Sequence, residues 1–302
     1  MKLVRFSMQN ETRIGFLSGE KVFDLNRAIE AAGETPGTWG DSMRLFLSSG
    51  EKAMKSAKAG LAYVQGHPEY AAKGEPYVFE RSSVRLGPPV HDPAKILCIG
   101  QNYRDHCLEQ NQPFPERPIL FAKYPNTLIG DRDEVVLPIS SDQVDYEAEL
   151  AFVIGKRAKR VSAKDALSYV AGYMCLNDVT ARDIQMRDKQ WVRGKTFDTF
   201  APTGPALVTS DEAPNPGNLN ISLTLNGVLM QNSNTSNLIF GIERLVHNLS
   251  EDITLEPGDI VTTGTPGGVG VWRKPPIFLK DGDVVSMKIE GLGSLTNRIT
   301  KG

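Results

Sequence analysis

Asp145, Glu147 and Glu149 alternate with Val144, Tyr146, Ala148, Leu150, Phe152 and Ile154, and such alternation predicts one strand across 144–154. On a strand, residues two apart point to the same side and lie about 7 Å from each other, so the three acidic groups crowd one face. Like charges repel there. Either water covers the face, or a cation holds the oxygens together, as hard divalent ions such as Mg²⁺, Mn²⁺ or Ca²⁺ do. A fourth carboxylate, Asp178, closes a strand predicted over 173–177 and precedes a helix predicted from about residue 179. Strand ends often carry site residues, yet an Asp in that place can equally cap the helix through its first free N–H groups. Arg182 and Gln185, three apart, share one helical face and meet either a substrate carboxylate or water.

Upstream, the segment from Gly100 to Glu109 follows a predicted strand and turns into a short helix. There His106 and Glu109, three apart, share a face with Cβ atoms about 5–6 Å from each other. A carboxylate that close orients the imidazole, and the pair can hold a water for deprotonation; surface His and Glu at this spacing are also common. Cys107 beside His106 is no nucleophile dyad, because adjacent helical side chains diverge by about 100°. Lys195 stands in an aromatic and small-residue stretch, Trp191 to Asp198. Residues 263–270 read TGTPGGVG after a predicted strand, without the GK[ST] ending of a phosphate loop or the GxGxxG of a dinucleotide site. The turn offers close backbone approach and exposed N–H and hydroxyl donors, which suit a small anion such as a carboxylate. The segment 112–118, with Pro113, Pro115 and Pro118, cannot be helical and reads as a mobile cover or an inert loop.

The elements that must position these groups fall into two regions. The first 80 or so residues begin as a strand meander, 3–6, 13–17 and 22–25, followed by helices over 27–32 and 50–65. The Pro-rich run Gly87 to Pro93 then interrupts regular structure, and the domain boundary falls between 75 and 92. The remainder is strand-rich, with strands predicted at 95–99, 119–123, 144–154, 173–177, 221–231, 260–263 and 284–290. Asn226-Gly227 divides the fifth of these into a hairpin with a type I′ turn. Helices are few, 164–170 and 239–249, so the order does not repeat as βαβ and the class is α+β.

Composition sets the outer limits. The chain has 302 residues and a formal net charge of -2. That leaves no basic excess to neutralise phosphates, so nucleic acid is not an expected partner. No stretch has the length and apolarity of a membrane span, and the first residues lack the apolar run of a signal peptide. Three widely spaced cysteines, Cys98, Cys107 and Cys175, form neither a disulfide framework nor a zinc motif, as expected in a reducing cytoplasm.

Taken together, five segments resemble the fumarylacetoacetate hydrolase family in one consistent order: GxNYxxHxxE at Gly100 to Glu109, DYExEL at Asp145 to Leu150, NDxTARDxQ at Asn177 to Gln185, K[ST]FD at Lys195 to Asp198, and TGTPxGVG at Thr263 to Gly270. The resemblance runs from about Lys95 to Val285. It implies a β-rich mixed-sheet roll over 81–302, preceded by a small α+β domain over 1–80, and a homodimer. It also implies that Glu147, Glu149 and Asp178 bind Mg²⁺ or Mn²⁺, that His106 and Glu109 lie on a segment that closes over the substrate, and that Lys195 sits beside the metal ligands. Lys123, Arg182, Gln185 and Thr265 are expected near the substrate, a small 2-oxo acid. Hydrolysis of a C–C bond in an acylpyruvate-type or other β-diketo acid is the first expectation. Oxaloacetate decarboxylation and keto–enol tautomerisation share the same site chemistry. A catalytically silent metabolite binder is the alternative of another class.

Overall fold

The computed structural model describes the whole chain except residues 10, 68–70, 73, 74 and 214. Its centre is the strand Ala148–Ile154, buried at all seven positions. Its two faces enter different cores. Ala148, Leu150, Phe152 and Ile154 join one core with Ile221, Leu223, Met287 and Leu295 of a second sheet and with the helix Ile242–Asp252. Ala151 and Val153 join another core with Leu3, Phe16, Phe46 and Ala57 from the first 66 residues. Glu149 continues the face of Ala151 and Val153 beyond the end of that core, and Glu147 stands buried just before the strand.

The strand is flanked on one side by Val170–Asn177, antiparallel, and on the other by Ile260–Thr262, also antiparallel. Beyond them lie Ala201–Thr209 and Lys2–Met8 on the first side, and Ile96–Gly100 and Ile119–Lys123 on the second. The meander Lys2–Met8, Glu11–Ser18, Lys21–Asp24 forms as predicted and extends this sheet, because Leu3 pairs with Leu207. Helices Leu25–Ala31, Met43–Ser48 and Gly50–Gly66 pack on it. The second sheet runs in the order Glu134–Leu137, Gly293–Lys301, Val284–Ile289, Asn220–Leu225, Val228–Asn234. Asn226 and Gly227 take φ of 53° and 80°, the left-handed pair that a type I′ turn requires.

Three expectations change. The stretch 144–154 is two strands, Val144–Asp145 and Ala148–Ile154, paired with different partners; the apolar alternation continues across the break because Val144, Tyr146 and Ala148 all feed one core. The helix after Asp178 begins later, at Arg182, with Ala181 as its N-cap. Residues 163–169 form a 3₁₀ helix. All three cysteines are buried and unpaired, and no helix among the described residues is long and apolar enough to cross a membrane.

Candidate metal centre

The ends of two neighbouring strands are tied together before any side chain acts. The Asp178 N–H donates to the Glu147 carbonyl at 2.9 Å, and the Glu147 N–H donates to Asn177 Oδ1 at 2.9 Å. This brings Glu147, Glu149 and Asp178 into one buried cluster whose ligand oxygens lie within 4.8 Å of one another. Asp178 is therefore not a helix cap. Asp145 leaves the cluster: its oxygens accept the Gly270 and Val271 N–H groups at 2.8 and 3.0 Å and Arg182 Nε at 2.8 Å.

Three buried cations answer the acidic groups. Lys195 Nζ lies 2.6 Å from Glu147 Oε2 and 2.7 Å from Asp178 Oδ2. Its ammonium also sits 5.1 Å from the centre of the Phe121 ring, a cation–π contact. Lys123 Nζ bonds Asp178 Oδ1 at 2.7 Å and the Val179 carbonyl at 3.2 Å. Arg182, besides holding Asp145, places Nη2 2.6 Å from Glu147 Oε1 and gives Nη1 to Gln185 Oε1 at 3.2 Å. Lys123, expected near the substrate, is fully buried and bonded to Asp178, and it is not among the residues that line the cavity. Its partner is the aspartate.

Four buried carboxylates, Asp145, Glu147, Glu149 and Asp178, thus face three buried cations. Burial would raise the Glu147 carboxyl, yet Lys195 and Arg182 bring it down to about 2. Among the described residues no lysine or arginine is ion-paired to Glu149. Burial first, then Asp178 and Glu147, push it well above the usual carboxylate range, and the Gly264 N–H donates to it at 2.8 Å. With Asp145 counted, because it shares Arg182 with Glu147, the fully ionised site is one positive charge short, and its all-oxygen cluster of Glu147, Glu149 and Asp178 fits a hard divalent cation such as Mg²⁺ or Mn²⁺.

A cavity of about 170 Å³ opens over the cluster; its lining includes Glu147, Glu149, Lys195, Arg182, Gln185 and Thr265 together with His106, Gln110, Phe121, Trp191 and Trp272. His106 sits in the short helix Arg104–Glu109, its Nδ1 3.2 Å from Glu109 Oε2. Glu109 Oε1 in turn accepts the Gly268 N–H at 2.9 Å.

The glycine-rich turn behaves differently from expectation. The anions it receives are the protein's own: Gly264 binds Glu149, Gly268 binds Glu109, and Gly270 binds Asp145. These three N–H groups are taken up in assembling the site. Two buried amides were given no role at the level of sequence, although Asn102 stands in the GxNYxxHxxE segment. Asn102 donates to the carbonyls of Thr263 and Phe240 at 2.8 and 3.0 Å, stitching the His106 segment to the turn. Gln231 bonds Ala148, Thr265 and Pro266. No spacing reveals what either one bonds, since the partners come from distant segments.

The chain matches the fumarylacetoacetate (FAA) hydrolase C-terminal family over residues 95–300. It is 44% identical over 304 residues to the mitochondrial oxaloacetate tautomerase of Rattus norvegicus, covering 99% of this chain and 91% of that protein. Among solved structures it is similar to the fumarylacetoacetate hydrolase of Exiguobacterium antarcticum, with 33% identity, TM-score 0.80 and all of both chains covered. The maleylpyruvate hydrolase of Sphingobium sp. SYK-6, in complex with manganese(II) and pyruvate, matches over all of both chains with 29% identity and TM-score 0.79.

Proposed function

The chain belongs to the fumarylacetoacetate hydrolase family, and on that footing we propose that it catalyses keto–enol tautomerisation of a small 2-oxo dicarboxylate such as oxaloacetate, with Mg²⁺ or Mn²⁺ held by Glu147, Glu149 and Asp178. The observation that carries this reading is His106, paired with Glu109, lining the same cavity as Glu147 and Glu149 of the buried carboxylate cluster. The tautomerase relative, at 44% identity over almost the whole chain, supports proton transfer ahead of C–C hydrolysis, the activity named for solved structures at 33% and 29%.

A bound divalent cation supplies a Lewis acid that stabilises negative charge on a carbonyl oxygen. The chain's own residues do the rest. Glu109, fixed by the Gly268 N–H, accepts a hydrogen bond from the N–H at His106 Nδ1, which leaves the Nε2 lone pair to take a proton from C3 of the keto acid; the imidazolium so formed gives a proton to the C2 oxygen, directly or through water, to complete the enol, and the same transfers run backward from enol to keto. Gln110 Nε2, 2.5 Å from His106 Nε2, holds that lone pair until a substrate replaces it. Arg182 and Lys195 keep Glu147 ionised. With all four carboxylates ionised and a divalent cation present, the cluster carries one excess positive charge, which favours an anionic substrate.

The substrate class, the homodimer and the cytoplasmic location stand with this reading as proposals; the rat relative's name places that protein in mitochondria. The test is to mix purified protein and Mg²⁺ with enol oxaloacetate and with a panel of acylpyruvates, following enol absorbance and pyruvate release. Accelerated loss of the enol without pyruvate supports tautomerisation. Pyruvate released from an acylpyruvate, with no effect on the enol, restores hydrolysis.

A further inference from the structure

Gln231 lies behind the cavity wall, 1% exposed, in the strand Val228–Asn234. Its Oε1 accepts the Ala148 N–H at 2.9 Å, while Nε2 donates to Thr265 Oγ1 at 2.8 Å and to the Pro266 carbonyl at 2.9 Å. Chemistry assigns the two ends of this amide, because a backbone N–H can only donate and a backbone carbonyl only accept. The Thr265 oxygen therefore receives an N–H. It also lies 3.0 Å from the Ala148 carbonyl oxygen, an acceptor, so the hydroxyl proton is given there. A hydroxyl has one proton and two lone pairs. With the proton and one lone pair engaged, a single lone pair is left, and Thr265 lines the cavity.

We infer that Gln231 is a positioning residue that fixes Thr265 as a hydrogen-bond acceptor toward the cavity, so that the ligand group met there is an O–H or N–H donor and not a carboxylate oxygen. This overturns the expectation that the turn presents its hydroxyl as a donor to a carboxylate. It rests on the 2-oxo acid reading and refines it: the ionised keto form of a 2-oxo dicarboxylate has no O–H, whereas its enol carries one at C2. Thr265 thereby favours the enol.

Calorimetric binding with Mg²⁺ present tests this using two near-isosteric probes, oxalate, which has no donor, and oxamate, in which an NH₂ replaces one oxygen. Thr265→Val should weaken oxamate about tenfold, the loss of one hydrogen bond, and change oxalate by less than about twofold. Thr265→Ser should restore oxamate. Gln231→Met, which leaves Thr265 in place but frees its proton to rotate, should move the oxamate-to-oxalate ratio in the same direction; thermal melts confirm that each variant is folded. Loss of oxalate instead of oxamate, or equal loss of both, overturns the assignment of Gln231 and Thr265 alone. A wild-type protein that binds neither probe overturns the 2-oxo acid reading, and this inference with it.

Discussion

Glu149 carries the unmet charge of the site. Its carboxyl is buried beside Asp178 and Glu147, and among the described residues no lysine or arginine is ion-paired to it. Its raised pKa means that Glu149 keeps its proton at a pH where an exposed glutamate has lost it. Because a cation needs the ionised oxygens, Mg²⁺ binding should expel about one proton. Affinity then rises with pH up to that raised pKa, while the metal-free protein loses stability over the same climb as the unpaired carboxylate ionises. Calorimetry in two buffers of different ionisation enthalpy measures the released proton, and Glu149→Gln should release none and bind Mg²⁺ weakly. At His106 the expectation is a division of labour: His106→Ala should lower turnover by about 10² to 10⁴ yet keep the Mg²⁺-induced rise in melting temperature. The carboxylates, the histidine pair and Arg182 were legible because each stands in a short motif. Lys123 could be named but not placed, since burial behind Asp178 depends on how the strand Ile119–Lys123 lies against the Asp178 loop, which no local spacing records.

At the scale of elements, the glycine-rich turn organises three acidic side chains, so its backbone path matters more than its composition suggests. Gly268 has φ of +100°, and a Cβ there would stand 2.3 Å from the Met230 carbonyl oxygen. Gly268→Ala should therefore destabilise the protein by about 1–3 kcal/mol, read from urea unfolding. It should also reduce turnover, because the N–H that holds Glu109 moves with it. The Asn-Gly hairpin and the meander were readable from turn residues and period-2 patterning. The nine-residue strand Ala201–Thr209, which joins the leading meander to the catalytic sheet, was not. Pro202, Gly204 and Pro205 lie within it, and prolines in a run argue against a central strand; here the neighbouring ladder shifts register between Tyr173 and Cys175. The split of 144–154 was hidden for the opposite reason, a pattern that stayed regular while the backbone changed partners.

Across the whole molecule, the leading segment and the remainder share one sheet and are further linked at the surface by Lys58 with Asp211 and Lys156 with Glu51. The strand Ile119–Lys123 ends that sheet, with Leu120 and the adjoining Tyr124 exposed. Among the described residues no strand pairs with its outer edge, an edge of that kind invites pairing with another chain, and sedimentation should give a particle of twice the 33.1 kDa of one chain; a monomer at micromolar concentration would count against the homodimer. The reaction itself is most directly tested by proton exchange. In D₂O with Mg²⁺, the wild-type protein should wash deuterium into C3 of oxaloacetate, seen by NMR, well above the uncatalysed rate and without forming pyruvate, and His106→Ala should lose most of that exchange. Pyruvate appearing with no enzyme-dependent exchange at C3, or full exchange in His106→Ala, would contradict proton transfer by the His106–Glu109 pair.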